Sequence, residues 1–126
     1  MANEIGRYGG TVLFDEYNYD AIETVYLEIT ADGPWTITIS GLETVPRFDG
    51  SFQVNGKGDA VLLYTGPTAY ATLVNNGSGN FIVLAHGQYE SNLMANEIGP
   101  YSGFVPMLGP AFIEVRSNGT WSLQRY

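Results

Sequence analysis

The chain contains no cysteine, which excludes a disulfide framework, thiolate chemistry and any zinc site built on sulfur. Only five of its 126 residues are Lys or Arg, against thirteen Asp or Glu. Nucleic acids and acidic lipid surfaces draw most of their affinity from basic side chains, so a net charge of −8 argues against both as partners. No apolar run reaches the roughly 18 residues of a membrane-spanning helix, so no membrane insertion is expected. No basic, then apolar leader opens the chain; an extracellular role therefore requires a mature fragment or another export route. No stretch keeps an apolar period of 3.6, which removes the helical classes. A single histidine, His86, cannot by itself build an imidazole metal site.

What is present is glycine, tyrosine and β-branched residues. Sixteen Gly and nine Tyr, with only 14% charged residues, suit short strands joined by tight turns. The chain also repeats itself. Residues 1–12, MANEIGRYGGTV, return as MANEIGPYSGFV from Met94, nine of the twelve positions being identical. The copies resume as LEITADGPWTI from Leu27 and IEVRSNGTWSL from Ile113, the first copy being longer by seven residues spent in DEYNYDAIETVY. Such agreement means duplication. A more distant copy lies between them, in GDAVLLYTGPTAYATLVNNGSGNFIVLA, where Phe81 stands in the place of Trp35 and Trp121. This divides one domain, residues 1–126, into units near 1–43, 44–88 and 89–126.

The units read as strands. In WTITIS, alternation sets Trp35, Ile37 and Ile39 against Thr36, Thr38 and Ser40, the period of a half-buried strand with the tryptophan in the core. Trp121 is assigned to the core in the same way. Asp32-Gly33 and Asn118-Gly119 suit hairpins, and Asn55-Gly56 and Asn76-Gly77 are further turn candidates. NFIVLAH, apolar on both faces, reads as an interior strand. The expected class is all-β: three four-strand units in a pseudo-threefold arrangement of the β-prism or trefoil kind. The alternative is an antiparallel two-sheet β-sandwich formed by the last two units, with the first added as extra strands. Either way MANEIG at the N-terminus is expected to lie against the central unit.

The pattern Gly56-Lys57-Gly58-Asp59, then Gly77-Ser78-Gly79-Asn80-Phe81, Asn96-Glu97-Ile98-Gly99-Pro100-Tyr101 and Ile113-Glu114-Val115 to Trp121 resembles a repeated β-rich module of bacterial secreted, surface or phage-encoded proteins. The resemblance implies a β-rich scaffold, carries no activity, and favours an extracellular, cell-surface or virion setting over the cytoplasm. It also makes residues 1–40 the second half of a module.

Candidate chemistry is sparse. Asn3, Glu4 and Tyr8, repeated as Asn96, Glu97 and Tyr101, place amide, carboxylate and ring where a sugar could be hydrogen-bonded and stacked upon. The plainer reading, turn residues beside a tyrosine packed at a sheet corner, weighs more. A duplicated site suits multivalent binding better than catalysis, which needs one asymmetric constellation. Asp15, Glu16, Asn18 and Asp20 bring hard oxygen ligands together, as calcium requires, but lack the central Gly and terminal Glu of an EF-hand loop, so a solvated acidic insertion is the better reading. No cofactor is expected unless this segment takes calcium. No Ser, Thr or carboxylate pair falls in a recognisable catalytic pattern, so the chain is read as no enzyme. Two function classes remain: a β-sheet module binding a glycan or other surface ligand, and a structural or assembly subunit that uses its extra half-module for self-association as a homo-oligomer.

Overall fold

The structure, a computed structural model, describes residues 4–14 and 26–126. Nine strands follow a short 3-10 turn at Leu42–Thr44: β1 (Arg47–Phe48), β2 (Val54–Lys57), β3 (Ala60–Tyr64), β4 (Ala69–Asn75), β5 (Asn80–His86), β6 (Ser91–Ile98), β7 (Tyr101–Met107), β8 (Ala111–Arg116) and β9 (Thr120–Arg125). Among the described residues no helix is long and apolar enough to cross a membrane. The strands form two sheets, one of order β1-β3-β8-β5-β6 and one of order β2-β9-β4-β7. All pairings are antiparallel except the short parallel addition of β1 to β3.

Alternation within each strand puts one apolar row between the sheets. Leu62 and Tyr64 of β3, Phe81, Val83 and Ala85 of β5, and Ile113 and Val115 of β8 meet Ala71 and Leu73 of β4, Met107 of β7, and Trp121 and Leu123 of β9 in a single core. Two sheets packed on one core are compatible with a β-sandwich, and the class is all-β as expected. The pseudo-threefold prism or trefoil does not emerge among the described residues, where every strand lies between Arg47 and Arg125. NFIVLAH is interior, paired with β6 on one side and β8 on the other.

The last two units are related by a pseudo-twofold that exchanges the sheets. Replacing β2, β3, β4 and β5 by β6, β7, β8 and β9, and the reverse, turns β2-β9-β4-β7 into β6-β5-β8-β3, the larger sheet without β1 read from its other end. The register agrees: Trp121 stands opposite Gly56, and Phe81 opposite Glu97, so Phe81 and Trp121 occupy equivalent places. At the two edges where a strand turns from one sheet into the other, β2 to β3 and β6 to β7, stand Gly58 with φ +75° and Gly99 with φ +87°. Only glycine takes that conformation at little cost. The N–H of each donates to the carbonyl just before the facing strand, Gly58 to Gly119 at 2.9 Å and Gly99 to Gly79 at 2.8 Å.

Several sequence expectations change for one reason: consecutive strands mostly change sheets. Asn118-Gly119 joins β8 and β9, which lie in different sheets, so it forms an arch and not a hairpin. Asn76-Gly77 lies in the connection from β4 to β5, again between sheets, with the bend itself at Ser78–Gly79. Asn55-Gly56 lies inside β2. The first unit adds no strand among its described residues, and Asp32-Gly33 has no paired strand on either side. Trp35 is accordingly not core: it is 59% exposed, against 4% for Trp121. Of MANEIG, Met1 to Asn3 lie outside the described residues and Glu4 lines a cavity with Lys57 of the central unit. Beyond the motif, Thr11 N donates to Asp59 O of the central unit at 3.0 Å, and Leu13 N to Glu114 Oε2 of the third unit at 3.3 Å.

Candidate functional site

The sequence candidates separate in space. Glu4 and Tyr8 line a cavity of about 330 Å³ at the β2–β3 corner, together with Arg7, Lys57, Ser117 and Asn118. Tyr8 is not a free ring there. Its hydroxyl donates to Asp59 Oδ2 at 2.8 Å, and Asp59 Oδ1 accepts from Ser117 N at 3.0 Å. Partial burial, then the hydrogen bond to Asp59 and its charge, push the phenol above its ordinary value of 10.0. Tyr101, its repeat counterpart, faces inward from β7 with its ring 5.8 Å from that of Phe81. Asn96 and Glu97 are exposed on β6, at the sheet edge. The two copies of the motif therefore present different surfaces. Asn3, Asp15, Glu16, Asn18 and Asp20 lie outside the described residues. Among the described residues no group of three or more metal-ligating side chains stands together.

A charged cluster sits on the outer face of the larger sheet. Glu114 follows Ile113, so its side chain points away from the core, yet it is 1% exposed. Arg116 Nη2 lies 3.2 Å and His86 Nε2 3.8 Å from its Oε1, and the Leu13 backbone occupies Oε2. His86 Nδ1 is 3.2 Å from Ser91 Oγ. Residues 11–14, themselves half-buried except Thr11, cover this face, so the cluster fastens the first unit and is closed to a ligand.

The outer face of the smaller sheet is open. Outward positions include Asn55 and Lys57 on β2, Ser122 and Gln124 on β9, Thr72 and Val74 on β4, and Ser102 and Pro106 on β7, a mainly polar surface that also carries three aromatics. Tyr70, Phe104 and Tyr126 are each more than half exposed. The Tyr70 and Phe104 rings are nearly parallel, 6° apart with centroids at 5.1 Å; Tyr126 meets Phe104 edge-on at 5.2 Å. Tyr126 is held in place by its own backbone, whose N–H donates to Tyr70 O at 2.8 Å. Neighbouring strands β9, β4 and β7 thus carry one continuous aromatic strip. Family models, curated proteins and solved structures were compared with the chain, and none matches.

The strip escaped the sequence reading although a signal existed. In AYATLVN, Tyr70 shares its phase with Thr72, and in YSGFVPM, Phe104 shares its phase with Ser102. Aromatic residues in the polar phase of two paired strands mark a solvent-facing row. That the two strands pair with Phe104 opposite Thr72 is a matter of tertiary register alone.

Proposed function

We propose that the chain is a non-catalytic binding module that takes a glycan across the open face of its smaller sheet. The observation that carries this reading is the exposed strip of Tyr70, Phe104 and Tyr126, set among the amide and hydroxyl groups of Gln124, Thr72 and Ser102. Exposed rings on a rigid sheet offer apolar area at little entropic cost, and they match the C–H face of a pyranose while flanking polar groups take its hydroxyls. A net negative surface suits a neutral or amino sugar better than a polyanion. The test is binding of the chain and of Phe104→Ala to a panel of neutral polysaccharides by pull-down and calorimetry. Loss of one stacked ring is expected to cost about 1–2 kcal/mol, roughly tenfold in affinity. Equal binding by Phe104→Ala would remove the strip from the site, and no binding to any glycan would remove the reading.

The assembly reading has its own observation: the first unit repeats the third but is not incorporated into either sheet among its described residues. In this reading the chain is a structural subunit whose additional half-module engages another chain.

A further inference from the structure

Residues 26–41 repeat the sequence pattern of β8 and β9 and share their bend, but pair with no strand among the described residues. With Leu27 aligned to Ile113, Ile29 takes the place of Val115, Trp35 of Trp121 and Ile37 of Leu123. In the third unit these positions are buried; in the first Ile29, Trp35 and Ile37 are 38%, 59% and 47% exposed. The backbone bends at Asp32–Gly33 as it bends at Asn118–Gly119, and Gly6, at φ +91°, reproduces the corner of Gly99. The first unit is therefore half of a sandwich, already carrying the bends of the whole, whose complement in the chain is taken: the second unit pairs with the third.

Which half fits it follows from two contacts. The first is steric. Trp121 lies flat on Gly56, where a Cβ would collide with the indole ring, and its Nε1 donates to Gly58 O at 2.9 Å. Phe81, the smaller ring, stands opposite Glu97. A tryptophan at position 35 therefore asks for the Asn-Gly-Lys-Gly corner of the second unit, and a second copy of the first unit would offer Glu4 in that place. The second is electrostatic. Residues 1–43 carry eight acidic side chains and Arg7 alone, so two first units repel, whereas residues 44–88 hold Arg47 and Lys57 against Asp49 and Asp59 and are neutral. The inward row Ile29, Trp35, Ile37 and Ile39 exposes on the order of 400 Å², about half of the ~800 Å² that one partner contributes to a standard interface, so docking needs strand pairing as well as this row.

We propose that the first unit docks a half-module of the β2–β5 kind supplied by a different polypeptide, with a glycine under Trp35, completing a second sandwich. This rests on the assembly reading and names its partner.

Residues 44–93, produced as a separate polypeptide, serve as the probe. Added to the 126-residue chain they are expected to form a 1:1 complex in which acrylamide quenching of Trp35 falls several-fold, read in a Trp121→Phe background. Trp35→Ala in the chain or Gly56→Val in the probe abolishes the complex. A complex that survives Trp35→Ala means that the probe has replaced the second unit against β6–β9, and overturns the proposal; so does a soluble probe that does not bind. Should the probe be insoluble, it is fused directly before Met1. That recreates the native Leu93–Met94 junction, and a Trp35 that stays fully quenchable there overturns the proposal. Self-association of the unmodified chain, measured by light scattering, tests the assembly reading separately: a stable homodimer would keep that reading and exclude the partner proposed.

Discussion

Two tryptophans that read alike in the sequence part company in the fold. Trp121 is buried, hydrogen-bonded to Gly58 O and packed on Gly56, so Trp121→Ala is expected to cost about 3–5 kcal/mol, measured by denaturant unfolding. Trp35→Ala is expected to change the unfolding free energy of the monomer by less than about 0.5 kcal/mol. Tyr8 gives a pH test. Its phenol is raised above 10.0 in the folded chain, so the neutral form is the one that folding favours. The stabilisation it contributes is fully present below pH 10.0 and is lost as pH climbs from there toward its folded value. The stability difference between the native chain and Tyr8→Phe should accordingly stay constant to about pH 9 and narrow above about pH 10.

At the scale of the element, the two arches are braced against each other at one end of the sandwich. Asn118 Oδ1 accepts from Ser78 N at 2.9 Å and Gly79 N at 3.0 Å, and its Nδ2 donates to Ser78 Oγ at 3.1 Å. Ser117 Oγ donates to Asn75 Oδ1 at 2.8 Å, and Asn75 Nδ2 donates in turn to Gly99 O at 2.9 Å, so the β6–β7 corner belongs to the same network. Asn118→Ala hands two exposed backbone donors to water and is expected to cost about 0.5–1.5 kcal/mol by chemical denaturation. Gly119→Ala would force a Cβ to within 2.5 Å of Gly77 Cα, backbone against backbone, and is expected to be at least as damaging. The pairs Asn76-Gly77 and Asn118-Gly119 are read as turns from sequence with good reason. Where the chain goes after such a turn depends on which sheet has a vacant edge, and an Asn-Gly pair does not carry that information.

At the scale of the molecule, the nine strands found among the described residues and the core between them lie within residues 47–125, while Tyr8 to Leu13 rest on the outside of the larger sheet. Deleting residues 1–40 should therefore preserve the β-type circular dichroism spectrum. The melting temperature should fall by a few degrees, because Glu114 loses its cover and the backbone donor from Leu13. Loss of the cooperative transition in residues 41–126 would show that the first unit contributes to the core. The sandwich itself depends on like halves: β2–β5 and β6–β9 exchange under one pseudo-twofold, and each half supplies alternate strands of both sheets. Neither half has a core of its own, which is why an additional copy is left with its apolar row in solvent.

The amino-acid sequence by itself determined the β class, the duplication, the interior character of NFIVLAH and the equivalence of Phe81 with Trp121, because each rests on a period or a repeat that neighbouring residues express locally. Only the tertiary structure decided that the second and third copies make two sheets, that the arches cross between them, and that Tyr70, Phe104 and Tyr126 line up on one face. Strand register and sheet membership are set by long-range pairing, and two identical local patterns can meet different partners. Trp35 and Trp121 stand in similar sequence surroundings; Trp121 has Gly56 opposite it and Trp35 has none of the described strands, and that difference exists only in three dimensions.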